Sequence, residues 1–451
     1  MHSLLLPPRS TIREQHARFL PHPERSQQLH ALVFHEMPGI SDAQAVGESF
    51  SGTSAIPDND VISSALISNA LVRASLEDLV MECATAVAGG RWRRSFQLIH
   101  HLMQRTSGAE RDALDRVVRH FVDGLAARVV SQLGESHVTG QLLPQSSTIT
   151  NTELQTAYLS LNRVTPFIRF AHLTANQAIL EAFQGSHSVH IIDMNIMQGV
   201  QWPPLMQALA GREGGAPRIR ISGVGSDWRI LERTGNLLTT FAASLGLPMF
   251  EFHALHARYG RDLLDICSPS SLDIREGDAL AINVSIPQHK LILQDQYSFV
   301  RLVRSLRPDI VTLSDRQMNR PDIHSLRDAF RHYRALFDSL EATVPPSSQD
   351  RINVEDVWLR GEIMQLFSDS STIDYDGLQM MVGFPHLEWK RLLRLEGFQP
   401  IPHSAFAVSQ ARLLLRLHYP SEGYEIRGED GDSLLMGWQD ISLFGVSAWI
   451  V

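Results

Sequence analysis

Apolar residues recur along most of this chain at intervals that separate helices from strands. Between Leu76 and Val87 they fall three and four apart (Leu76, Leu79, Val80, Cys83, Ala84, Val87), and Gly89-Gly90 closes the run, which predicts an amphipathic helix. Trp92, Phe96, Ile99 and Leu102 predict a second helix; Leu114, Val117, Val118, Phe121 and Leu125 predict a third. Three such helices in succession imply a small bundle over 66–145, followed by a polar linker from Gly134 to Thr150. Residues 1–65 carry scattered Pro, His, Ser and Gln without a period, as a flexible leader would. Helical spacing resumes from Thr152 to Phe183, read as one helix.

Strand signals begin after it. Val189, Ile191 and Ile192 form a short apolar run ended by Asp193; a segment bearing Gly199 follows, then Trp202-Pro203-Pro204 at the head of a new helix, where proline's missing N–H costs nothing. Further strands are predicted at Arg218–Gly223, Met249–Leu255, Ala279–Val284 and Asp309–Leu313, with a helix at Glu232–Leu247. Strands at these intervals with helices between them give an α/β fold, a doubly wound Rossmann-like sheet over 146–451. Helical patterns at His324–Leu340 and Val354–Phe367 place inserted helices at about 322–380. The last quarter returns to β at Leu413–His418, Gly423–Ile426, Leu434–Trp438 and Leu443–Trp449, an antiparallel extension in which Trp438 and Trp449 sit on neighbouring strands.

Composition narrows the function classes. The 451 residues carry a net charge of -9, with 43% hydrophobic and 20% charged residues, so no global basic field draws the chain to nucleic acid or anionic membrane. Two cysteines, Cys83 and Cys267, supply neither a disulfide framework nor a cysteine zinc site, and the leader histidines lack ligand spacing, so no metal is expected. No apolar run reaches transmembrane length, and no compact basic run marks nuclear import.

The unit around Asp193 has the outline of a cofactor-binding turn, and S-adenosylmethionine-dependent methyl transfer is the enzymatic reading. It needs glycines after the first strand and an acid after the second. Only Gly199 stands in the first loop, which Met194, Asn195, Ile196, Met197 and Gln198 fill; after the second strand the nearest acid, Asp227, lies past the expected point. Asp193, Gln201, Asn283 and His289 would line a small-ligand crevice if the strand ends converge; the plainer reading is that these groups satisfy each other locally. No catalytic residue and no cofactor are therefore assigned.

Val189-His190-Ile191-Ile192-Asp193 is the naming motif of the plant GRAS transcription regulators, and the other blocks that resemble this family follow in order. Leu79–Ala127 resembles the first leucine-rich region, Gln198–Pro203 the Gln-Gly-x-Gln-Trp-Pro element, and Leu231–Leu245 the second leucine-rich region. Pro308–Leu313 with Tyr333 and Leu336–Leu340 resembles the third block, whose Arg-Glu part is here Arg360-Gly361-Glu362. Trp389 to Gly397, then Trp438, then Ser447-Ala448-Trp449 resemble the terminal block. The tail from Ala411 to Tyr424 is similar to the lateral suppressor / monoculm, scarecrow-like branch. The resemblance implies a methyltransferase-type core with a helical cap, acting in the nucleus on plant development (meristem initiation or axillary branching). Its expected partners are DNA-binding transcription factors or other family members, as homo- or heterodimer, with no membrane. Leu79, Val80, Leu231, Leu238 and Leu245 are the partner-binding candidates, on the expectation that some of the leucines stay exposed. Direct DNA reading through Arg91, Arg93 and Arg94 or Lys390, Arg391 and Arg394 is the remaining alternative.

Overall fold

The computed structural model describes residues 74–108, 112–133, 149–247, 249–257, 260–266, 271–285, 293–317, 326–367, 386–429 and 432–451, all within the compact unit 71–451. The leader, most of the Gly134–Thr150 linker, Cys267 and His289 lie outside them.

Three helices open the described chain: α1 (Leu76–Ala88), α2 (Trp92–Arg105) and α3 (Ala113–Leu133). Ser75 starts the first by accepting the Asp78 amide at 3.1 Å. The stretch read as one helix from Thr152 is two, α4 (Asn151–Val164) and α5 (Phe167–Ala182). The break is Thr165-Pro166: a residue before proline is pushed out of the helical region, and Thr165 is extended at φ -120°, ψ 151°.

The core then alternates β1 (Ser188–Asp193), α6 (Trp202–Ala210), β2 (Arg218–Gly225), α7 (Trp228–Ser244), β3 (Phe250–His256), α8 (Gly260–Ile266), β4 (Ala279–Ser285), α9 (Leu293–Ser305) and β5 (Ile310–Arg316). The inserted helices are α10 (Leu326–Thr343) and α11 (Gln349–Ile352), the latter running through a π-helical stretch (Asn353–Leu359) into α12 (Arg360–Leu366). After them come α13 (His386–Leu395), β6 (Gln399–Ile401), α14 (Ala405–His418), β7 (Tyr424–Glu429), β8 (Ser433–Trp438) and β9 (Ile441–Ile450).

These strands form one sheet in the order β3-β2-β1-β4-β5-β9-β8-β7, with β6 paired to the end of β9. Pairing among β1 to β5 is parallel; β6 to β9 pair antiparallel. This is the Rossmann-like sheet with an antiparallel extension. Chain direction reverses its progress across the sheet between β1 and β4, where doubly wound folds place their ligands. Every residue of β1 is buried, as befits a central parallel strand covered on both faces.

Three apolar clusters hold the fold. One packs α1 to α3 against α10, the π stretch and α12, so the inserted helices complete the cap; Phe121 meets Phe330 edge-on at 5.0 Å and Phe367 at 5.8 Å. The other two lie on opposite faces of the sheet. Cap and core are also joined by buried charge: Arg316 at the end of β5 is paired with Glu362 of α12, both removed from solvent. Leu413–His418, read as a strand, is instead the end of α14, which Ser404 caps by accepting the Ala407 amide at 3.1 Å. Ala407, Ala411 and Leu415 are its buried positions and Val408 and Leu414 pack beside them, a mixed three- and four-residue spacing that marks a helix.

Candidate functional site

The switch point between β1 and β4 is built and full. Asp193 and Asn283 stand opposite each other in register at the ends of the two strands. Asp193 is buried, and its carboxylate accepts from the Trp202 indole at 2.9 Å, the Asn195 amide at 3.1 Å and the Asn283 side chain at 3.3 Å. Asn283 also donates to Gln201 Oε1 at 3.1 Å and accepts from the Thr312 hydroxyl at 2.8 Å. Gln201 is tied in turn to Asn176 of α5, whose side-chain amide donates to the Gln201 carbonyl at 2.8 Å. Every polar group predicted for the crevice and described here thus finds a partner within the chain. Burial raises the Asp193 carboxyl to about 6, against the opposing effect of its three donors.

The loop after β1 lies where a cofactor would need space. The Met194 amide donates to the Asn283 carbonyl and the Ile196 amide to the Val224 carbonyl, each at 3.0 Å, so the backbone is laid across the ends of β4 and β2. Ile196 is buried over Gly223, where an added Cβ would stand 2.6 Å from its Cδ1. Gly199 turns the loop with φ +66°, and a Cβ there would meet Thr234 at 2.7 Å. Glycine is therefore used to let α7 close onto the loop, the reverse of opening it to a ligand. Asp227, the acid nearest the end of β2, caps α7 by accepting the Arg229 amide at 2.8 Å. Its carboxylate is occupied.

The rest of the first motif is framework. Val189 and Ile191 face one sheet cluster and Ile192 the other. His190 is fully buried with Nε2 2.8 Å from the Ser222 hydroxyl; burial first, and Arg220 second, lower its pKa to about 4, so it stays neutral. The terminal motif serves likewise. Trp389 packs edge-on to Phe299 at 5.9 Å, the Trp449 indole donates to Ser447 at 2.9 Å, Ala448 pairs with Thr312 in the sheet, and Trp438 packs on Tyr424 at 4.7 Å. Gly397 holds φ +82° at the end of α13.

The partner-binding candidates require correction. Leu79, Val80, Leu231 and Leu238 are buried in the core, and Leu245 is half-buried against the sheet. Helical spacing had identified the inward faces of α1 and α7, and an inward face is unavailable to a partner. The outward face of α7 presents a shallow, open groove lined by Arg229, Glu232, Arg233, Asn236, Leu237 and Thr240. Leu237 is 38% exposed, and Trp228, 56% exposed, stacks on His256 at 5.3 Å at the helix start. Sequence reasoning missed these residues because exposure is set by what the other elements leave uncovered.

The basic clusters are only partly free, since Arg91, Arg93 and Arg391 are exposed and the other three members are not available. Arg94 is held by Glu82 at 2.6 Å, Arg394 is paired with Asp432, and Lys390 is buried. Among the described residues Glu251, His253 and Asp273 approach one another as metal ligands would, but Arg275 already holds both carboxylates, at 3.0 and 2.6 Å. No helix among them is long and apolar enough to cross a membrane.

Comparison with known proteins agrees with this architecture. A relative named Protein MONOCULM 1, from Oryza sativa subsp. japonica, is 37% identical over 406 residues, covering 83% of this chain and 88% of that one. Scarecrow-like protein 18 of Arabidopsis thaliana is 37% identical over 387 residues, covering 77% of this chain and 85% of its own. The crystal structure of SCL7 in Oryza sativa aligns with a TM-score of 0.68 at 30% identity, over 83% of this chain and 99% of that one. The GRAS domain family matches residues 76–450, and the chain belongs to that family.

Proposed function

We propose that this chain is a nuclear transcription regulator of plant development that works through protein contacts and carries no catalysis of its own. The observation that carries the reading is the filled crevice: Ile196, Trp202, Gln201 and Asn283 occupy the switch point, and the acid after β2 is spent on a helix cap. Methyl transfer needs that space for its cofactor, and fold alone does not supply function. Membership of the family, with relatives named MONOCULM 1 and SCARECROW, supports the regulatory role. The groove on α7, with Trp228 and Leu237 beside Arg229 and Arg233, offers apolar anchors and a polar rim of the kind protein interfaces use. Its occupant is a DNA-binding factor or a second family member. Direct DNA reading has less support, because Arg94 and Arg394 are neutralised in place.

Capture from plant nuclear extract tests this reading. The wild-type chain recovers a DNA-binding factor or a family member, identified by mass spectrometry. The Leu237→Asp variant, whose change is solvent-facing, keeps its thermal stability and loses the partner. Equal recovery by both, or none by either, refutes the role assigned to the groove.

A further inference from the structure

The groove on α7 has a definite construction. Arg229, Arg233 and Leu237 form one row of residues four apart, and Glu232, Asn236 and Thr240 form the row beside it. The groove is the furrow between these two ridges. A ridge of the same spacing on a second helix fits such a furrow, at a crossing angle of about -50°. A helix therefore matches its shape.

The charges along it are not those that a solvated helix face favours. Arg229 and Arg233 are exposed, four residues apart and of like sign, an arrangement that weakens a helix. Both stand near the start of α7, where the dipole favours anions, yet the first turn holds no acid and the Asp227 carboxylate is spent on the cap. Glu232 lies three residues from Arg229 and pairs with neither arginine; all three charges lack an ion-pair partner among the described residues. Trp228, four residues before Glu232 and so its neighbour on the helix surface, is exposed and held by its stack on His256. The furrow thus has an arginine flank and a flank of one carboxylate beside one indole.

We propose that this furrow docks a helix of a partner protein whose two flanks carry opposite charge. Carboxylates on one flank face Arg229 and Arg233, an arginine or lysine on the other lies against Trp228 and Glu232, and an apolar side chain covers Leu237. The assignment rests on the reading of α7 as the docking face and names the partner's chemistry there. A uniformly acidic helix would bring carboxylates onto Glu232, and a uniformly basic one would bring cations onto Arg229 and Arg233. A nucleic-acid backbone meets the same objection from Glu232 and leaves Leu237 uncovered. Because the fitting helix is close to neutral, the net charge of -9 neither draws nor repels it.

Fluorescence anisotropy with the full chain, in about 0.15 M salt, tests the proposal. Three labelled, helix-stapled peptides of about 18 residues share a leucine row and differ only in their flanks: one of Glu and one of Arg, both of Glu, or both of Arg. The mixed peptide binds saturably, roughly tenfold more tightly than either uniform peptide. In Arg229→Glu/Arg233→Glu the all-Arg peptide becomes the tightest. In Arg412→Glu/Arg416→Glu, which makes the same change of net charge on α14, the order stays as in the wild type. In Leu237→Asp all three lose binding. The substituted side chains are all exposed, and unchanged circular dichroism and melting temperature verify that each variant is folded. The proposal is overturned if no peptide saturates, if mixed and uniform peptides bind alike, if the α14 variant changes the order equally, or if a DNA duplex binds at Arg229 and Arg233 more tightly than the mixed peptide. Capture from nuclear extract separates it from the broader reading. Capture that falls in Leu237→Asp but not in Arg229→Glu/Arg233→Glu overturns the charge assignment and leaves α7 as the docking face; capture unaffected by either removes the face itself.

Discussion

Trp202→Phe isolates the role of the crevice, because it deletes one hydrogen bond and part of one ring while leaving helix α6 its aromatic anchor. Trp202 is fully buried and donates to Asp193 at 2.9 Å. The smaller ring loses contacts in the sheet-face cluster, about 1–2 kcal/mol. The lost hydrogen bond adds about 1.5–3 kcal/mol when its acceptor is ionised and about 0.5–1.5 kcal/mol when it is neutral. Asp193 carries a pKa raised to about 6 by burial, above the 3.8 of the free group. Its contribution to stability is therefore fully present below pH 4 and is lost as pH rises through 6. Removing the indole raises that pKa further and deepens the loss. The variant should thus be destabilised by about 1.5–3.5 kcal/mol at pH 4 and by about 2.5–5 kcal/mol at pH 8. Urea denaturation followed by far-UV circular dichroism, at a series of pH values, measures both numbers; partner capture is measured alongside and should decline only as the folded fraction does. A variant with wild-type stability and no pH trend that nevertheless loses partner capture would refute the structural role and return the crevice to a ligand.

The cap–core junction supplies two further predictions. Burial raises Asp315 to about 8, with Arg316 and its backbone amide opposing. A raised carboxyl stabilises below pH 4 and loses that contribution as pH climbs through 8, so Asp315→Asn should gain stability relative to wild type on going from pH 5 to pH 9; parallel melting curves that keep a constant offset would contradict the assignment. Removing one partner of the buried pair, in Arg316→Met or Glu362→Gln, should cost about 3–5 kcal/mol, whereas the double variant should recover most of that loss, as read by a double-mutant cycle in urea; additive losses would show that the two charges do not depend on each other.

Much of this was legible in residue order, for reasons that can be named. The five parallel strands are short apolar runs separated by helical spacing, and β1 to β5 fall at or within a few residues of where those runs stand. The roles of Asp193 and Trp202 were within reach because the two lie nine positions apart, joined by a loop too bulky for a cofactor. The Thr165-Pro166 break also had a local signal, the residue before proline. Leu413–His418 misled because it opens on an unbroken apolar run; extending the window back to Ala407 adds Val408, Ala411 and Leu414, whose three- and four-residue spacing marks the helix. Arg316 and Glu362, 46 residues apart, could not be paired from local pattern, since the insertion of α10 and α11 brings them together. The exposed Trp228 and Leu417 were hidden for the complementary reason: spacing reveals which face is apolar, but the packing of other elements decides which apolar side chains stay outside.

The central claim is that the switch point between β1 and β4 is filled by the chain's own side chains and does not serve a methyl donor. Titration of the purified full-length chain with S-adenosylmethionine by isothermal calorimetry addresses it most directly. The account predicts dilution heats only, at ligand concentrations reaching the millimolar range. Saturable, one-to-one micromolar binding would contradict it, and would place a cofactor where Ile196 and Trp202 now stand.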